Sequence, residues 1–249
     1  MRFTLLALLP LAFSFPFGRP KRDATPVYWL LAGDSTTAPR GGWGDAFLAT
    51  TVANGSSGHN YGHSGATTKS FRDGGDWAKV IADIATYKKD YRVYVTIQFG
   101  HNDQKNTSGV TLADYKTNLG RFADEVKTAG GTPILASPLT RRSFNSTTQR
   151  VIENLANERV TTLAVAKEKK LHFIDLNKAS TDYVNAIGNT ASAKYNLSPS
   201  DRTHLNEWGG VVFSRLVSDL IWEKYPQEFE AVTAKNQTLS ALIRAGIAA

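Results

Sequence analysis

Cysteine is absent from the 249-residue sequence. Its absence excludes disulfide bonds, zinc sites built on thiolates and a cysteine nucleophile. No internal repeat is present, which argues against a solenoid or propeller. Beyond the N-terminal segment there is no second long apolar run, so we expect a mature protein that is soluble, with no membrane partner. The apolar fraction of 41% is nevertheless sufficient to build an ordinary buried core.

The first residues are typical of a targeting segment. Arg2 supplies a positive start, and residues 3–15 form a mostly apolar core that is too short to span a membrane. Cleavage after Ser14 or near Gly18 would be followed by processing at Lys21-Arg22. We therefore expect a signal peptide and short pro-segment over 1–22, a single domain over 23–249, and a secreted, extracellular protein.

Removal of that segment lowers the formal charge from +7 to +3, because four basic residues and no acidic residue leave with it. A net charge of +3 gives little support for nucleic-acid binding, and we expect no nucleic-acid partner. Secretion is consistent with five glycosylation sequons, each with an Asn followed two residues later by Ser or Thr. The candidate acceptors are Asn54, Asn106, Asn145, Asn196 and Asn236.

The chain alternates between short apolar runs and amphipathic stretches. The runs predict strands at 27–32, 59–61, 92–99, 133–137 and 171–175, and the stretches predict helices at 45–52, 76–87, 112–129, 148–170 and 207–225. One or two further helices are expected in the tail, 227–249. Such alternation predicts an α/β fold, a three-layer α/β/α sandwich around a central five-stranded parallel sheet.

Polar residues follow three of the predicted strands directly. Gly33-Asp34-Ser35 ends the first strand, a Gly-rich loop reaching Gly65 follows the second, and Gly100-His101-Asn102-Asp103 follows the third. The carboxyl ends of neighbouring parallel strands share one edge, where open α/β sheets bind ligands. Asp201-Arg202-Thr203-His204 comes late in the chain, and an acid three residues before a histidine can orient the imidazole. Alone, Ser35 could equally be a helix N-cap.

These four segments resemble the SGNH (GDSL-like) hydrolase family, whose sandwich is flavodoxin-like, and the resemblance covers nearly the whole mature chain. Finer details are most similar to rhamnogalacturonan acetylesterases. They are the Thr after Gly33-Asp-Ser, the Gly42-Trp-Gly segment, Asn60 five residues before Gly65, the Gly100-His-Asn-Asp segment, and Asn206 two residues after His204 in Asp-x-Thr-His-x-Asn. Other carbohydrate acetylesterases share much of this pattern.

The resemblance implies a role for each matching residue. Ser35 would be the nucleophile, His204 the general base and then acid, and Asp201 the group that orients His204. The backbone N–H groups of Ser35 and Gly65 and the side-chain amide of Asn102 would form the oxyanion hole. No cofactor and no metal are implied, and the His and Asp spacing indicates no metal cluster. The serine does not lie in a G-x-S-x-G elbow, which argues against the larger α/β-hydrolase fold.

The resemblance therefore suggests a serine esterase that removes O-acetyl groups from pectic rhamnogalacturonan, with acetylated plant cell-wall polysaccharide as partner and a monomeric chain. The alternatives are another carbohydrate acetylesterase, a lipolytic GDSL esterase, and a non-catalytic glycan-binding module. Cationic loop residues could bind the carboxylates of an acidic glycan, and ordinary surface charge is the alternative for each. The candidates are Arg40, Lys69, Arg72, Arg141 and Arg142.

Several neighbouring residues have structural interpretations. Trp43 could lie in the core or line the substrate pocket. Asp34 and Asp103 are expected to brace their loops by accepting from backbone N–H groups. The remaining histidines are expected at the surface or as satisfied core residues; they are His59, His63, His101 and His172.

Overall fold

A computed structural model describes residues 24–249; the signal peptide and pro-segment predicted over 1–22, and Asp23, lie outside this range. Five strands form one sheet, all parallel, in the order β2-β1-β3-β4-β5. They are β1 Val27–Gly33, β2 Ser57–Asn60, β3 Arg92–Gln98, β4 Thr132–Ala136 and β5 His172–Ile174. The predicted five-stranded parallel sheet is confirmed, and its order reverses between β1 and β3.

Nine α-helices cover the two faces of the sheet within the described residues. They are α1 Gly44–Thr50, α2 Thr68–Asp73, α3 Asp76–Tyr87, α4 Leu112–Ala129, α5 Ala156–Glu168, α6 Leu176–Ser192, α7 Glu207–Lys224, α8 Pro226–Phe229 and α9 Gln237–Arg244. None of the helices within 24–249 is both long and apolar enough to cross a membrane.

Strand β1 is apolar throughout because both of its faces are covered. Trp29 and Leu31 of β1 belong to a core shared with α1, α6 and α7, whereas Leu30 and Ala32 belong to a second core shared with α3, α4 and α5. Every residue of β1 is buried. Alternate residues of β1 thus pack against the helices on opposite faces of the sheet. The two helical layers and the sheet between them form the predicted three-layer sandwich.

One predicted helix has the wrong start, and two helices, α2 and α6, were not predicted. The helix predicted over 148–170 begins only at Ala156, because residues 145–151 form a turn in which the Asn145 side chain accepts from the N–H groups of Thr147 and Thr148. Helix α6 was missed, although Asp175 caps it by accepting from Lys178 N–H. The two helices found in the tail, α8 and α9, confirm the prediction made there.

Candidate active site

The nucleophile loop begins where β1 ends. The N–H groups of Thr37 and Ala38 both donate to the Asp34 carbonyl, which turns the chain sharply and leaves Ser35 at the sheet edge with 6% of its surface exposed. The Asp34 carboxylate accepts from the Thr36 N–H (2.9 Å) and hydroxyl (2.8 Å). This bracing role of Asp34 is as predicted.

A buried chain of hydrogen bonds supports that loop from below. The Trp43 indole N–H donates to Gln98 Oε1 at 2.7 Å, and Gln98 Nε2 donates in turn to the Thr36 hydroxyl. Trp43 is fully buried. The prediction that it binds substrate is therefore wrong, because the indole lies in the core and fixes the loop instead. Gln98 was missed, although a Gln ending a buried strand signals a polar network there.

The imidazole of His204 lies across the sheet edge from Ser35. His204 Nε2 is 2.8 Å from Ser35 Oγ, and His204 Nδ1 is 2.8 Å from Asp201 Oδ2. The other Asp201 oxygen accepts from the N–H groups of Thr203 and His204, each at 2.9 Å. Residues 169 positions apart in the chain thus form a continuous relay from hydroxyl to imidazole to carboxylate.

The charge on Asp201 is set by its partners. Partial burial alone would raise the pKa of its carboxyl, but the hydrogen bonds from two backbone N–H groups and from His204 outweigh burial and lower it. The carboxyl is therefore ionised at neutral pH. An ionised Asp201 accepts a hydrogen bond from His204 Nδ1–H. This holds the imidazole in the tautomer whose Nε2 is unprotonated and can take the proton of Ser35.

The histidine loop is anchored from behind by Arg142. Its guanidinium is fully buried and donates to the His204 carbonyl at 2.5 Å and to Asn196 Oδ1 at 2.7 Å. Burial lowers the Arg142 pKa to about 10. Arg142 N–H donates to the Arg202 carbonyl, and Leu205 N–H donates to the Gly41 carbonyl on the opposite side. Arg142 was predicted as a loop cation that binds glycan carboxylates or as ordinary surface charge; both are wrong, because the guanidinium is buried and anchors the loop.

The second and third loops meet at the predicted oxyanion hole. Gly65 has φ +81°, a left-handed conformation that favours glycine. Asn102 is buried, and its Nδ2 donates at 2.9 Å to the carbonyl of Ala66, the residue after Gly65. His63 N–H donates to the Gly33 carbonyl, which ties the second loop to the first. Gly65 and Asn102 are thus brought to the edge that carries Ser35.

Below the hole lies a buried polar cluster. Asp103 accepts from the Thr68 N–H (2.8 Å) and hydroxyl (2.6 Å), the bracing role predicted for it. Burial is the largest influence on Asp103 and raises its pKa to about 6, and the nearby Asp34 adds to the effect. His101, also buried, lies with Nδ1 3.4 Å from Asp34 Oδ2. Burial would raise the Asp34 pKa, but His101 and the Thr36 hydrogen bonds together lower it.

The other predicted cations and histidines lie in different settings. Arg72 forms a two-pronged ion pair with Glu125 (2.9 and 3.2 Å) and lies 4.9 Å from the centre of the Phe122 ring. The prediction that Arg72 binds substrate is therefore wrong, because its guanidinium is already occupied between helices. Lys69 pairs with Asp73 in the same helix. His59 and His63 are exposed, and His172 is 2.9 Å from Glu228.

Arg40 lines a groove of about 530 Å³. The other lining residues include Gly41 and Gly42, four positions of α1, and Leu205 and Asn206. A Cβ added to Gly41 would lie 3.7 Å from the His204 Cβ and Cδ2 atoms. Gly41 and Leu205, which both line the groove, therefore adjoin His204.

Four of the five predicted glycosylation acceptors are exposed: Asn54, Asn106, Asn145 and Asn236. Asn196 is an exception, because it is buried and its Oδ1 accepts from Arg142. A glycan on its Nδ2 would have no path to solvent, so the prediction for Asn196 is wrong for this fold. Among the residues that the structure describes, no three His, Asp or Glu side chains cluster to hold a metal ion.

Comparison with known proteins supplies relatives in sequence. The rhamnogalacturonan acetylesterase RhgT of Bacillus subtilis (strain 168) is 30% identical over 217 residues, which cover 80% of this chain and 90% of the relative. The uncharacterized esterase YxiM of the same organism is 26% identical over 196 residues, 75% of this chain and 49% of YxiM.

Solved structures share the fold. The crystal structure of the YxiM protein superposes with a TM-score of 0.69 at 23% identity, covering 81% of this chain and 57% of that one. Axe2, an acetylxylan esterase from Geobacillus stearothermophilus, superposes with a TM-score of 0.57 at 20% identity, covering 86% and 100% of the two chains. The model of the GDSL-like lipase/acylhydrolase family matches residues 31–210. That match contains the Ser35, Asn102 and His204 loops, and the chain belongs to this family of esterases.

Proposed function

We propose that the protein is a secreted serine esterase that removes O-acetyl groups from pectic rhamnogalacturonan. The observation that carries the esterase chemistry is the relay Ser35–His204–Asp201, with both side-chain distances at 2.8 Å. The 30% identity to RhgT over most of both chains supports the choice of substrate. The apolar N-terminal segment and the four exposed sequons support secretion.

The chemistry follows from the relay. His204 Nε2 takes the Ser35 proton as Oγ attacks the acetyl carbonyl, and the developing oxyanion accepts from the Ser35 and Gly65 N–H groups and the Asn102 amide. The tetrahedral intermediate collapses when His204 returns the proton to the sugar oxygen, and acetyl-Ser35 remains. Water, deprotonated by His204, then releases acetate and restores the serine.

The groove beside His204 is suited to hold the sugar. The leaving oxygen must come within hydrogen-bond reach of Nε2, so the alcohol part of the ester lies on the His204 side of Ser35. The groove includes Gly41 and Leu205, which adjoin His204, and its volume of about 530 Å³ falls within the range of small-ligand sites. A polysaccharide could therefore lie along the groove while its acetyl group points at Ser35.

Charges along the groove favour a second candidate, an esterase for a neutral acetylated glycan such as xylan. The charged residues that line the groove are one cation, Arg40, and two acids, Asp45 and Glu207. Two acids and one cation attract a polyanionic chain less than an arginine cluster would. Arg40 is then the residue on which preference for an acidic glycan depends.

The test is acetate release from acetylated rhamnogalacturonan, acetylated xylan and a long-chain ester, for the wild type and Ser35→Ala. Preferential release from the pectic polymer, lost in the variant, is the expected result. Equal acetate release from both polymers would support the esterase chemistry but contradict the preference for the pectic substrate. Activity that rises with acyl length would favour the lipolytic alternative, and the absence of Ser35-dependent hydrolysis of any of these substrates would favour the glycan-binding module.

Substrate charge is tested separately with Arg40→Glu. We expect this variant to lose more activity on the acidic polymer than on para-nitrophenyl acetate, because only the polymer carries carboxylates near the groove. Lys116→Glu is the matched control, since Lys116 lies on α4 and pairs with Glu168, outside the groove. Equal losses on the two substrates for Arg40→Glu would exclude the role of Arg40.

A further inference from the structure

The Asn102 amide is held at both ends. Lys105 Nζ donates to Asn102 Oδ1 at 2.7 Å, and Asn102 Nδ2 donates to the Ala66 carbonyl at 2.9 Å. Lys105 lies one turn further along the same loop, and its own N–H donates to the Asn102 carbonyl. The amide of Asn102 is buried, whereas the stem of Lys105 reaches it from the exposed side.

These two contacts define which way the amide points. An Asn side chain has two N–H groups and one carbonyl oxygen, and rotation by 180° exchanges them. In the exchanged orientation the NH₂ would face the Lys105 ammonium, donor against donor, and Oδ1 would face the Ala66 carbonyl, acceptor against acceptor. Lys105 and Ala66 therefore oppose the exchange together, and one N–H of Asn102 is left for a further acceptor.

We propose that Lys105 is a positioning residue of the oxyanion hole: it holds the Asn102 amide with the free N–H directed at the developing oxyanion and strengthens that N–H as a donor. A positive charge on the carbonyl side of an amide draws electron density from its nitrogen, so the N–H becomes more acidic. This effect matters most when the ester oxygen carries full charge, which is in the tetrahedral intermediate. The proposal rests on the proposed esterase function.

The alternative for an exposed lysine beside a hydrolytic site is binding of a substrate carboxylate. The two roles differ in what they require of the substrate. Positioning of Asn102 affects every ester, including a neutral one, and affects kcat more than KM because the interaction grows in the transition state. Binding of a carboxylate affects only acidic substrates and affects KM.

The experiment measures kcat and KM on para-nitrophenyl acetate for the wild type, Lys105→Met, Lys105→Arg and the control Lys116→Met. Loss of a whole oxyanion-hole donor costs about 10²–10³ in rate, so loss of the group that orients it is expected to cost about 10-fold in kcat with KM unchanged. Lys105→Arg should recover most of the rate, because a guanidinium also donates to Oδ1. Lys116→Met should match the wild type.

A double-mutant cycle tests whether Lys105 acts through Asn102. In an Asn102→Ala background, Lys105→Met is expected to cost nothing further, because the amide that it orients is gone. Affinity for methylboronic acid, which forms a tetrahedral anion on the serine, should fall in Lys105→Met by about the same factor as kcat. A lysine that merely stabilised the loop would change neither measurement selectively.

Three results would overturn the inference: unchanged kcat in Lys105→Met, additive losses in the double variant, or a loss confined to KM on acidic polymers. Each of these requires a wild type whose hydrolysis depends on Ser35, so each leaves the proposed esterase function standing. A wild type without Ser35-dependent hydrolysis would overturn the proposed function itself, and this inference with it.

Discussion

At the scale of single residues, the site depends on the Asp201 carboxylate, which keeps the His204 imidazole in the tautomer whose Nε2 is unprotonated. Asp201 uses one oxygen for His204 Nδ1 and the other for two backbone N–H groups. Its lowered pKa keeps it ionised well below neutral pH. Stability contributed by such a group is present above its ordinary pKa and is lost as the pH falls through the lowered value.

Asp201→Asn should therefore reduce kcat without unfolding the protein. The Asn oxygen can still accept from the two N–H groups, but an NH₂ facing Nδ1 would force the tautomer whose Nε2 carries the proton. The analogous change in a serine protease costs about 10⁴ in kcat, and we expect a loss of about 10³–10⁴-fold here. Steady-state kinetics on para-nitrophenyl acetate would measure it. A loss under 10-fold would mean that Asp201 does not set the tautomer.

Much of the site at this scale could be predicted from the sequence, because Gly-Asp-Ser, Gly-x-Asn-Asp and Asp-x-x-His are local patterns. Local patterns cannot show what lies behind them. Trp43 and Arg142 look like surface or pocket residues in the sequence, and each is buried as a support for a catalytic loop. Their partners, Gln98 and Asn196, lie more than 50 positions away in the chain.

At the scale of elements, Arg142 and the loop at 196–205 form one buried unit. The side chain donates to the His204 carbonyl and to Asn196 Oδ1, and within residues 24–249 no carboxylate forms an ion pair with it. The hydrogen-bond acceptors of the Arg142 guanidinium are therefore both neutral. Neutral acceptors compensate a buried cation only partly, which is why its pKa is lowered.

Arg142→Met is expected to destabilise the protein by about 1–3 kcal/mol, because two buried acceptors lose their donor while the cost of burying a charge is relieved. The kcat should fall as well, since His204 belongs to the released loop. Urea unfolding and kinetics measure both effects. Arg121→Met is the control, because Arg121 is exposed on α4 and pairs with Glu125, away from the loops that carry Ser35 and His204. A larger loss in Arg121→Met would contradict this account.

The elements that sequence reasoning missed have a physical explanation. Helices α3 and α4 have one apolar face each and were predicted with the bounds observed. Helix α6 contains Gly188 with φ +80° and non-helical geometry, and its buried positions include the polar Asn177, Ser180 and Thr181. Gly188 therefore interrupts the helical pattern in the sequence, and polar side chains at buried positions are not recognised as part of a core-facing stripe.

At the scale of the whole molecule, the sheet order explains how distant residues meet. The sequence alternation predicts a parallel sheet with both faces covered, and the parallel sheet places the ends of β1, β2 and β3 at one edge. The alternation does not reveal that the last loop, which carries His204, returns to that edge. That placement depends on α7 packing beside α1 in the core next to β1.

Buried carboxyls at this edge also influence the stability of the whole protein. Asp103 has its pKa raised to about 6, so it favours the folded state when protonated. Its contribution is fully present below the ordinary pKa of 3.8 and is lost as the pH rises through about 6. Raising the Asp103 pKa from 3.8 to about 6 changes the free energy of unfolding by about 3 kcal/mol at most.

Asp103→Asn should therefore be more stable than the wild type at pH 8, by about 1–3 kcal/mol, and the difference should vanish near pH 4. The Asn oxygen can retain both hydrogen bonds from Thr68. Urea unfolding across this pH range measures the difference. The control is Asp175→Asn, whose carboxyl has a lowered pKa through Arg159 and backbone hydrogen bonds, so that variant should lose stability at pH 8. A difference for Asp103→Asn that is constant with pH would contradict the assignment.

The most direct measurement is the mass of the protein quenched during turnover of an acetyl ester, followed by peptide mapping. The account predicts one acetyl group per chain, located on Ser35, lost in Ser35→Ala and released by water in the intact enzyme. An acetyl group on another residue, or steady acetate release by Ser35→Ala at the wild-type rate, would contradict it.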